Sequence, residues 1–466
     1  MVCIGQAMPF LPRAESAWGR YIGALCALLS APVVQAQSFP ALRLSESLSI
    51  AAPQVEPPSP VSTQESGAQR HTVKATGSLS LGYASSDRLL SGESDLLIPR
   101  ARLKIVHGIA PGIYWRYEAD ATSRRANGND DAFVLREAYL NYREDRFDLR
   151  AGLQSIPWGR ADVINPSDNL TPSNYTWLTL NDAEQRIGTA AIQVGYQFEY
   201  GKLTAISLPL FRPSKVPLGD TQGLTVREAE PEALRSDFAL RWERQSSGPE
   251  WSVSWFHGHS LRPNLVPAAD LPTSGVIELQ HPRVEVLGAD FAAPWRSIIF
   301  RGEAAYTRAQ DCCDVAGVEF QKSDNLFAVL GVETAFSDGW RAVVQAFHKK
   351  NFEKSEQESG PSPVAEIAYA SNVLNDELRS DYTGLSVGIY PTALGDRVKT
   401  NIDVAWIAQT NDYAIRPRLI YQLQDSLSLN LAADWYGGNR EGPLGKLRDN
   451  SLVLTEVQWR FVWQRK

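Results

Sequence analysis

The 466-residue sequence predicts an all-β protein, a transmembrane antiparallel β-barrel of about 18 strands, with 16 as the alternative count. Three observations predict it. Apolar and polar residues alternate with period two over runs of about ten residues, repeatedly along the chain. The links between runs alternate between tight turns and long polar stretches. The N-terminus reads as an export signal.

The export signal comes first in the chain. Arg13 and Arg20 precede a short apolar run over 21–34, and Val34-Gln35-Ala36 offers small residues for cleavage. Residues 1–36 are therefore predicted to be a signal peptide. The run is too short to span a bilayer as a helix, which takes about 20 apolar residues. Leu25 before Cys26 argues against lipid attachment at that cysteine. Residues 37–70 are rich in Pro, Ser and Gln, and predict a flexible periplasmic lead-in. Only Cys312 and Cys313 remain in the mature chain, and read as a loop staple or as two inert thiols.

Composition agrees. Hydrophobic residues make up 43% of the chain and mean hydropathy is −0.26, which excludes a bundle of membrane helices. Thirteen Trp, 16 Tyr and 16 Phe suit a barrel with interfacial aromatic girdles. A net charge of −7 argues against a general nucleic-acid binder.

Residues 71–466 carry the barrel pattern. Leu97, Pro99, Ala101, Leu103 and Ile105 alternate with Arg100, Arg102 and Lys104. Ile113, Trp115, Tyr117, Ala119 and Ala121 oppose Tyr114, Arg116, Glu118 and Asp120. Phe147, Leu149, Ala151 and Leu153 oppose Asp148, Arg150 and Gln154. Near the end, Leu427, Leu429, Leu431, Ala433 and Trp435 oppose Ser428, Asn430 and Asp434. Such runs centre near residues 78, 102, 117, 138, 150, 192, 206, 240, 255, 287, 303, 331, 345, 387, 403, 418, 431 and 457. Two are irregular: 203–210 is apolar on both faces, and 132–142 leaves Arg136 on an ambiguous side. Long links are expected at 124–131, 155–184, 211–234, 260–275, 310–323, 352–379 and 437–449, with the polar stretch 352–363 solvated and mobile. An arginine facing the bilayer midplane costs about 2–4 kcal/mol, so the charged faces must line the lumen. The predicted lumen charges are Arg100, Arg102, Lys104, Arg116, Glu118, Asp120, Asp148, Arg150, Arg416 and Arg418.

One stretch breaks the pattern: Ile156-Pro-Trp-Gly-Arg-Ala-Asp-Val-Ile-Asn-Pro-Ser-Asp-Asn-Leu-Thr-Pro172. Gly159, Asn165-Pro166 and Thr171-Pro172 forbid a long regular element, yet Trp158, Ile164 and Leu170 need cover. With the strand before it, the stretch resembles a group of Gram-negative outer-membrane porin-like β-barrels. They share R-x-G-x-Q leading into W-G-x-x-D-x-I-N-P-x-D, and close similarity covers roughly 135–210. The resemblance implies an outer-membrane channel. By analogy with general porins, the loop 155–184 is expected to fold into the lumen and narrow it. Trp158, Arg160, Asp162, Asn165 and Asp168 are its candidate constriction residues, with Arg160, Asp162 and Asp168 facing the basic wall of Arg100, Arg102, Arg116 and Arg150. Those charges either set a transverse field for solutes or only pin the loop. Arg416 and Arg418 join Arg100, Arg102 and Lys104 as a candidate anion-attracting ladder. Glu303, Asp403, Asp434 and Glu456 are the competing salt-bridge partners.

The functional expectation is passive diffusion of small hydrophilic solutes through the outer membrane, with anion preference. The alternatives are an export conduit for a polymer and a surface-binding barrel. A barrel-borne hydrolase is disfavoured: the one histidine cluster, His257-Gly-His259, has no evident third metal ligand, and no G-x-S-x-G or H-E-x-x-H occurs. No cofactor and no metal are expected. The expected partners are outer-membrane lipid, the solutes, the outer-membrane assembly machinery (through the terminal run ending at Trp463) and further copies of the chain.

Overall fold

The computed structural model describes residues 72–86, 95–122, 133–161, 164–177, 179, 182–216, 218, 224–229, 237–244, 248–268, 275–310, 314–336, 339–352, 362–391, 395 and 397–465. The expected signal peptide and lead-in, Asp162, Cys312 and Cys313 lie outside these residues.

Eighteen strands form the wall. They are β1 (Val73–Ser86), β2 (Asp95–Ala110), β3 (Ile113–Thr122), β4 (Phe133–Glu144), β5 (Phe147–Gln154), β6 (Thr189–Phe198) and β7 (Gly201–Leu208). After a short outer strand β8 (Thr225–Glu228) come β9 (Asp237–Arg244) and β10 (Glu250–His259). The outer strands β11 (Asn264–Pro267) and β12 (Val276–Gln280) precede β13 (Arg283–Trp295) and β14 (Ile298–Ala309). The hairpin β15 (Asp314–Val315) and β16 (Val318–Glu319) precedes β17 (Asn325–Phe336) and β18 (Trp340–Asn351). The wall ends with β19 (Asp381–Pro391), β20 (Val398–Ile407), β21 (Asp412–Gln424), β22 (Leu427–Gly437) and β23 (Leu452–Arg465). Each wall strand pairs antiparallel with the next. The last returns to the first, from Val73 opposite Arg465 to Ser86 opposite Leu452, and the barrel closes without an edge. Each of the 18 predicted runs is centred inside one wall strand.

The pleat sorts the side chains. Outward positions such as Leu79, Leu97, Leu287 and Leu330 are 51–64% exposed, while their polar neighbours point in. Trp295, Trp340, Trp459 and Trp463 mark the outward face toward the tight turns. Trp255, Tyr306, Trp406 and Trp435 mark it toward the long connections, as interfacial girdles do.

Both irregular runs have physical causes. Between β3 and β4 the register shifts: Glu118 faces Glu137 and Ala119 faces Leu135, which leaves Arg136 as a bulge residue. A bulge turns two successive side chains to one face, so Arg136 and Glu137 are both buried on the inside. On β7 the inward Ile206 and Leu208 are 3% and 4% exposed, packed against Ile156, Trp158 and Leu170. That strand is apolar on both faces because lipid covers one and a loop covers the other.

The described parts of the long connections carry regular elements that composition does not suggest. The sheet β11-β12-β8 packs with the helix Pro363–Leu374 around Leu265, Ile277, Leu279, Ile367 and Leu374. The polar stretch expected to be solvated falls mostly on 353–361, outside the described residues, while the rest of the link 352–379 is ordered. Its described part is a helix capped by Ser362, which accepts from Ala365 N–H, with Pro363 in the first turn. The polar residues before the helix masked its apolar spacing.

Leu330→Arg on the outward face of β17 should lower the folded fraction in vesicles by a factor consistent with about 2–4 kcal/mol. Leu210→Arg, equally exposed but outside the strands, should leave it near wild type. Heat-modifiable gel mobility measures both, and equal loss would mean that the outward face is not the lipid face.

Candidate functional site

The site is the lumen together with residues 155–188, which join β5 to β6. The first half of this loop is shaped by a wall carboxylate. Gly159 has φ +93°, and a Cβ there would run into Asn165 Oδ1 and the carboxylate of Glu303. The turn directs Arg160 N–H and Ala161 N–H at Glu303 Oε2, at 3.0 and 3.1 Å. Ser167 donates its N–H and hydroxyl to Oε1, at 2.7 and 2.8 Å. Glu303 on β14 is 3% exposed, so this carboxylate is satisfied almost wholly by the loop. Successive N–H groups converging on an anion form a nest, and only glycine admits the close approach at 159.

Side chains extend the hold. The Arg160 guanidinium pairs with Asp290 of β13 and lies 3.6 Å from Glu250 and 3.8 Å from Glu243. Trp158 is 7% exposed, with the Arg241 guanidinium 5.7 Å from its ring centre. Asp168 pairs with Arg186 of the same loop and accepts from Trp158 N–H. Asn165 supplies its carbonyl to Asp168 N–H.

The second half reaches the opposite wall. Asp182 and Glu184 belong to a short 3-10 turn, Asp182–Gln185. Asp182 takes two hydrogen bonds from Arg416, at 2.6 and 2.7 Å. Glu184 takes Arg100 at 3.0 Å and Arg102 at 2.8 Å. Arg136 donates to the carbonyls of Glu184 and Ala183. Trp177 is 1% exposed, with Arg100 and Arg136 at 5.2 and 5.4 Å from its ring centre. Behind this layer, Asp120 pairs with Arg102 and Arg136, and Asp434 with Arg416 and Arg418. Strands β9 to β14 and strands β2, β21 and β22 lie on opposite arcs of the ring. The loop therefore crosses the lumen and is fixed at both walls.

Two expectations are corrected here. Arg160 does not face the basic wall: it meets Asp290, Glu243 and Glu250, because like charges at that distance would repel. Asp168 is neutralised within its own loop. The basic wall is met by Asp182 and Glu184, which were not singled out; the acidic pair Asp182-Ala183-Glu184 at the end of the loop was the available signal. Nor do Arg100, Arg102, Arg416 and Arg418 form a ladder open to solutes, since each is bonded to loop or wall groups. Lys104 sits opposite Thr76 and Glu118. Arg116 pairs with Glu118 and Glu137, and Asp148 with Lys202. His257 and His259 part company: Arg283 donates to His257, and His259 bonds Asp237.

An open space of about 1350 Å³ remains beside the loop. At the turn end it is lined by Arg143, Asp145 and Arg146, midway by Arg150, Arg160, Asp168 and Arg241, and at the outer end by Leu261, Arg262, Lys322 and Glu377. It thus runs the length of the barrel past the crossing. Twelve Arg and Lys residues line it against nine Asp and Glu, so the path is basic in balance. Arg150 is the central one that forms no ion pair among the described residues; its guanidinium rests over the Tyr139 ring at 4.7 Å.

Burial alone would raise the pKa of Glu184, but Arg102, Arg100 and the Thr179 hydroxyl outweigh it and hold the group at about 2, against an ordinary 4.5. A depressed carboxylate contributes stability that is full above the unfolded value and is lost as pH falls toward the folded one.

A closed, edge-free barrel with apolar outside, charged inside and an open path past an inward loop is an outer-membrane channel of the porin type. The comparisons agree. The family model described as phosphate-selective porin O and P matches residues 73–203. OccAB1 of Acinetobacter baumannii is similar in fold, with a TM-score of 0.53 and 9% identity, over 86% of this chain and 100% of that one. OccK8 (OprE) of Pseudomonas aeruginosa has a TM-score of 0.52 and 9% identity, over 84% and 98%. OccK1 (OpdK) of the same organism has 0.50 and 10%, over 84% and 99%. No curated protein matches the chain.

Glu303→Ala should leave the barrel folded but free the first half of the loop, because three N–H groups lose their acceptor at about 1–3 kcal/mol each. Single-channel recordings should show larger and noisier conductance; unchanged traces would mean the clamp is dispensable. Acid should have a second effect. Between pH of about 4.5 and about 2 the wild type should grow noisier as Glu184 takes up its proton, whereas Glu184→Gln should already be noisy at neutral pH and lack that step. Identical acid profiles would remove Glu184 from the loop's anchorage.

Proposed function

We propose that the protein is a passive diffusion channel for small hydrophilic solutes, with a preference for anions. The observation that carries this reading is the continuous path beside the pinned loop, whose lining is basic in balance. Arg150 and Arg143, on the wall of that path, are the residues assigned to the preference. The other candidate arginines are neutralised by neighbours, and Arg100, Arg102 and Arg416 hold the loop. The family description, phosphate-selective, supports the same sign of charge.

We assign the chain to the porin-like group that shares W-G-x-x-D-x-I-N-P-x-D, in which the Trp-Gly and Asn-Pro pieces build the turn around Glu303. Residues 1–36 act as the export signal in this reading, and 37–70 as the lead-in. The chain performs no catalysis. Its partners are outer-membrane lipid, the solutes, the assembly machinery and further copies of the chain. A polymer conduit fits poorly, because a loop bonded to both walls leaves no wide bore.

Planar-bilayer recording of the purified protein tests the proposal. Under a salt gradient, wild type should show a reversal potential on the anion side, and Arg150→Gln should move it measurably toward zero with conductance retained. An intact barrel without conductance would defeat the channel reading. An unchanged reversal potential in Arg150→Gln would defeat the assignment of Arg150.

A further inference from the structure

On the outward face, the arc from β10 to β14 ends in a polar group that includes two arginines, on the side of the long connections. His257, Glu285 and Arg308 stand directly opposite one another on β10, β13 and β14. They share the parity of Val253, Leu287 and Tyr306, which are exposed outward. Arg283 lies two residues beyond Glu285 on the same face. Its guanidinium donates to His257 Nε2 at 3.2 Å, and Trp255 Nε1–H occupies the Glu285 carboxylate at 2.7 Å. Arg308 is exposed. Diagonal neighbours on adjacent strands are about 7–8 Å apart, so Arg283 and Arg308 can reach one anion between them.

Height places this group. From Leu287 to Trp295 the strand climbs about 27 Å, which with its tilt covers most of an apolar band about 25 Å tall. Arg283 and Arg308 lie beyond that band, above the rings of Trp255 and Tyr306. They are separated from the solute path by the wall itself. Guanidinium groups at this level match phosphate in shape and charge, and the apolar surface below matches acyl chains.

We propose that Arg283 and Arg308, with His257, form a site for a phosphate-bearing lipid headgroup of the outer leaflet, whose chains lie over Leu287, Trp255 and Tyr306. The site is independent of the solute path.

Native mass spectrometry of the full chain in non-ionic detergent tests it, with a diphosphorylated glucosamine-based lipid and its dephosphorylated form as probes. Wild type should retain the phosphorylated lipid preferentially. The double variant Arg283→Gln/Arg308→Gln should retain at least tenfold less, and Arg283→Lys/Arg308→Lys should recover part. Equal retention of the two lipids by wild type, or full retention by the Gln variant, would overturn the site. Displacement of the lipid by millimolar inorganic phosphate, with phosphate alone bound as well as the lipid, would make it a free-anion site and overturn the lipid assignment. Heat-modifiable mobility reports folding. If the Gln variant does not fold, the wild-type lipid comparison and the Lys variant decide.

Discussion

The structure depends on one constraint: charges cannot face the hydrocarbon, so they collect inside the barrel and must be neutralised there. A wall that presents Arg100, Arg102, Arg416 and Arg418 on one arc and Glu243, Asp290 and Glu303 on the other satisfies those charges only in part by itself. The loop between β5 and β6 carries the matching signs in the matching order. Its first half offers N–H groups and Arg160 to the acidic arc, and its second half offers Asp182 and Glu184 to the basic arc. Breaking one partner of a buried pair typically costs about 3–5 kcal/mol, so a loop held by several such pairs behaves as part of the wall.

That arrangement decides what the lumen can do. Charges engaged in holding the loop are not available to a passing solute. The basic balance of the remaining path then rests on residues outside the network, with Arg150 over Tyr139 at its centre. Counting lumen arginines from the sequence overstates the field that a solute meets, because most of that charge is spent internally. The crossing also makes the lumen asymmetric: ion pairs to β2 and β21 close one arc, and the open space is lined by strands from β4 round to β18, past the loop's anchor on β13 and β14.

The barrel was legible in the sequence to the level of individual strands. Period-two alternation is imposed by lipid on one face and charge on the other, and it is disturbed in β4 and β7. The two doubtful runs were doubtful for a reason. Arg136 sits at a bulge, which breaks the period, and β7 packs its second apolar face on the loop. The loop itself was legible as unusual, through Trp158-Gly159 and Asn165-Pro166. Its partners were not. Nothing near Arg160 in the sequence points to Asp290, and Glu303 lies 136 residues beyond Ser167. The helix Pro363–Leu374 was hidden for a related reason, since its apolar face answers to the outer strands β11 and β12 rather than to a bilayer.

By itself, then, the sequence determined the class of fold, the number of strands to within two, which face meets lipid and which segment interrupts the wall, because each follows from local periodicity and the cost of charge in hydrocarbon. Only the tertiary structure decided which charges pair, on which side the path stays open and why residue 159 is glycine. Those outcomes depend on groups from strands far apart in the chain meeting across a closed lumen, and no local pattern encodes which ones will meet.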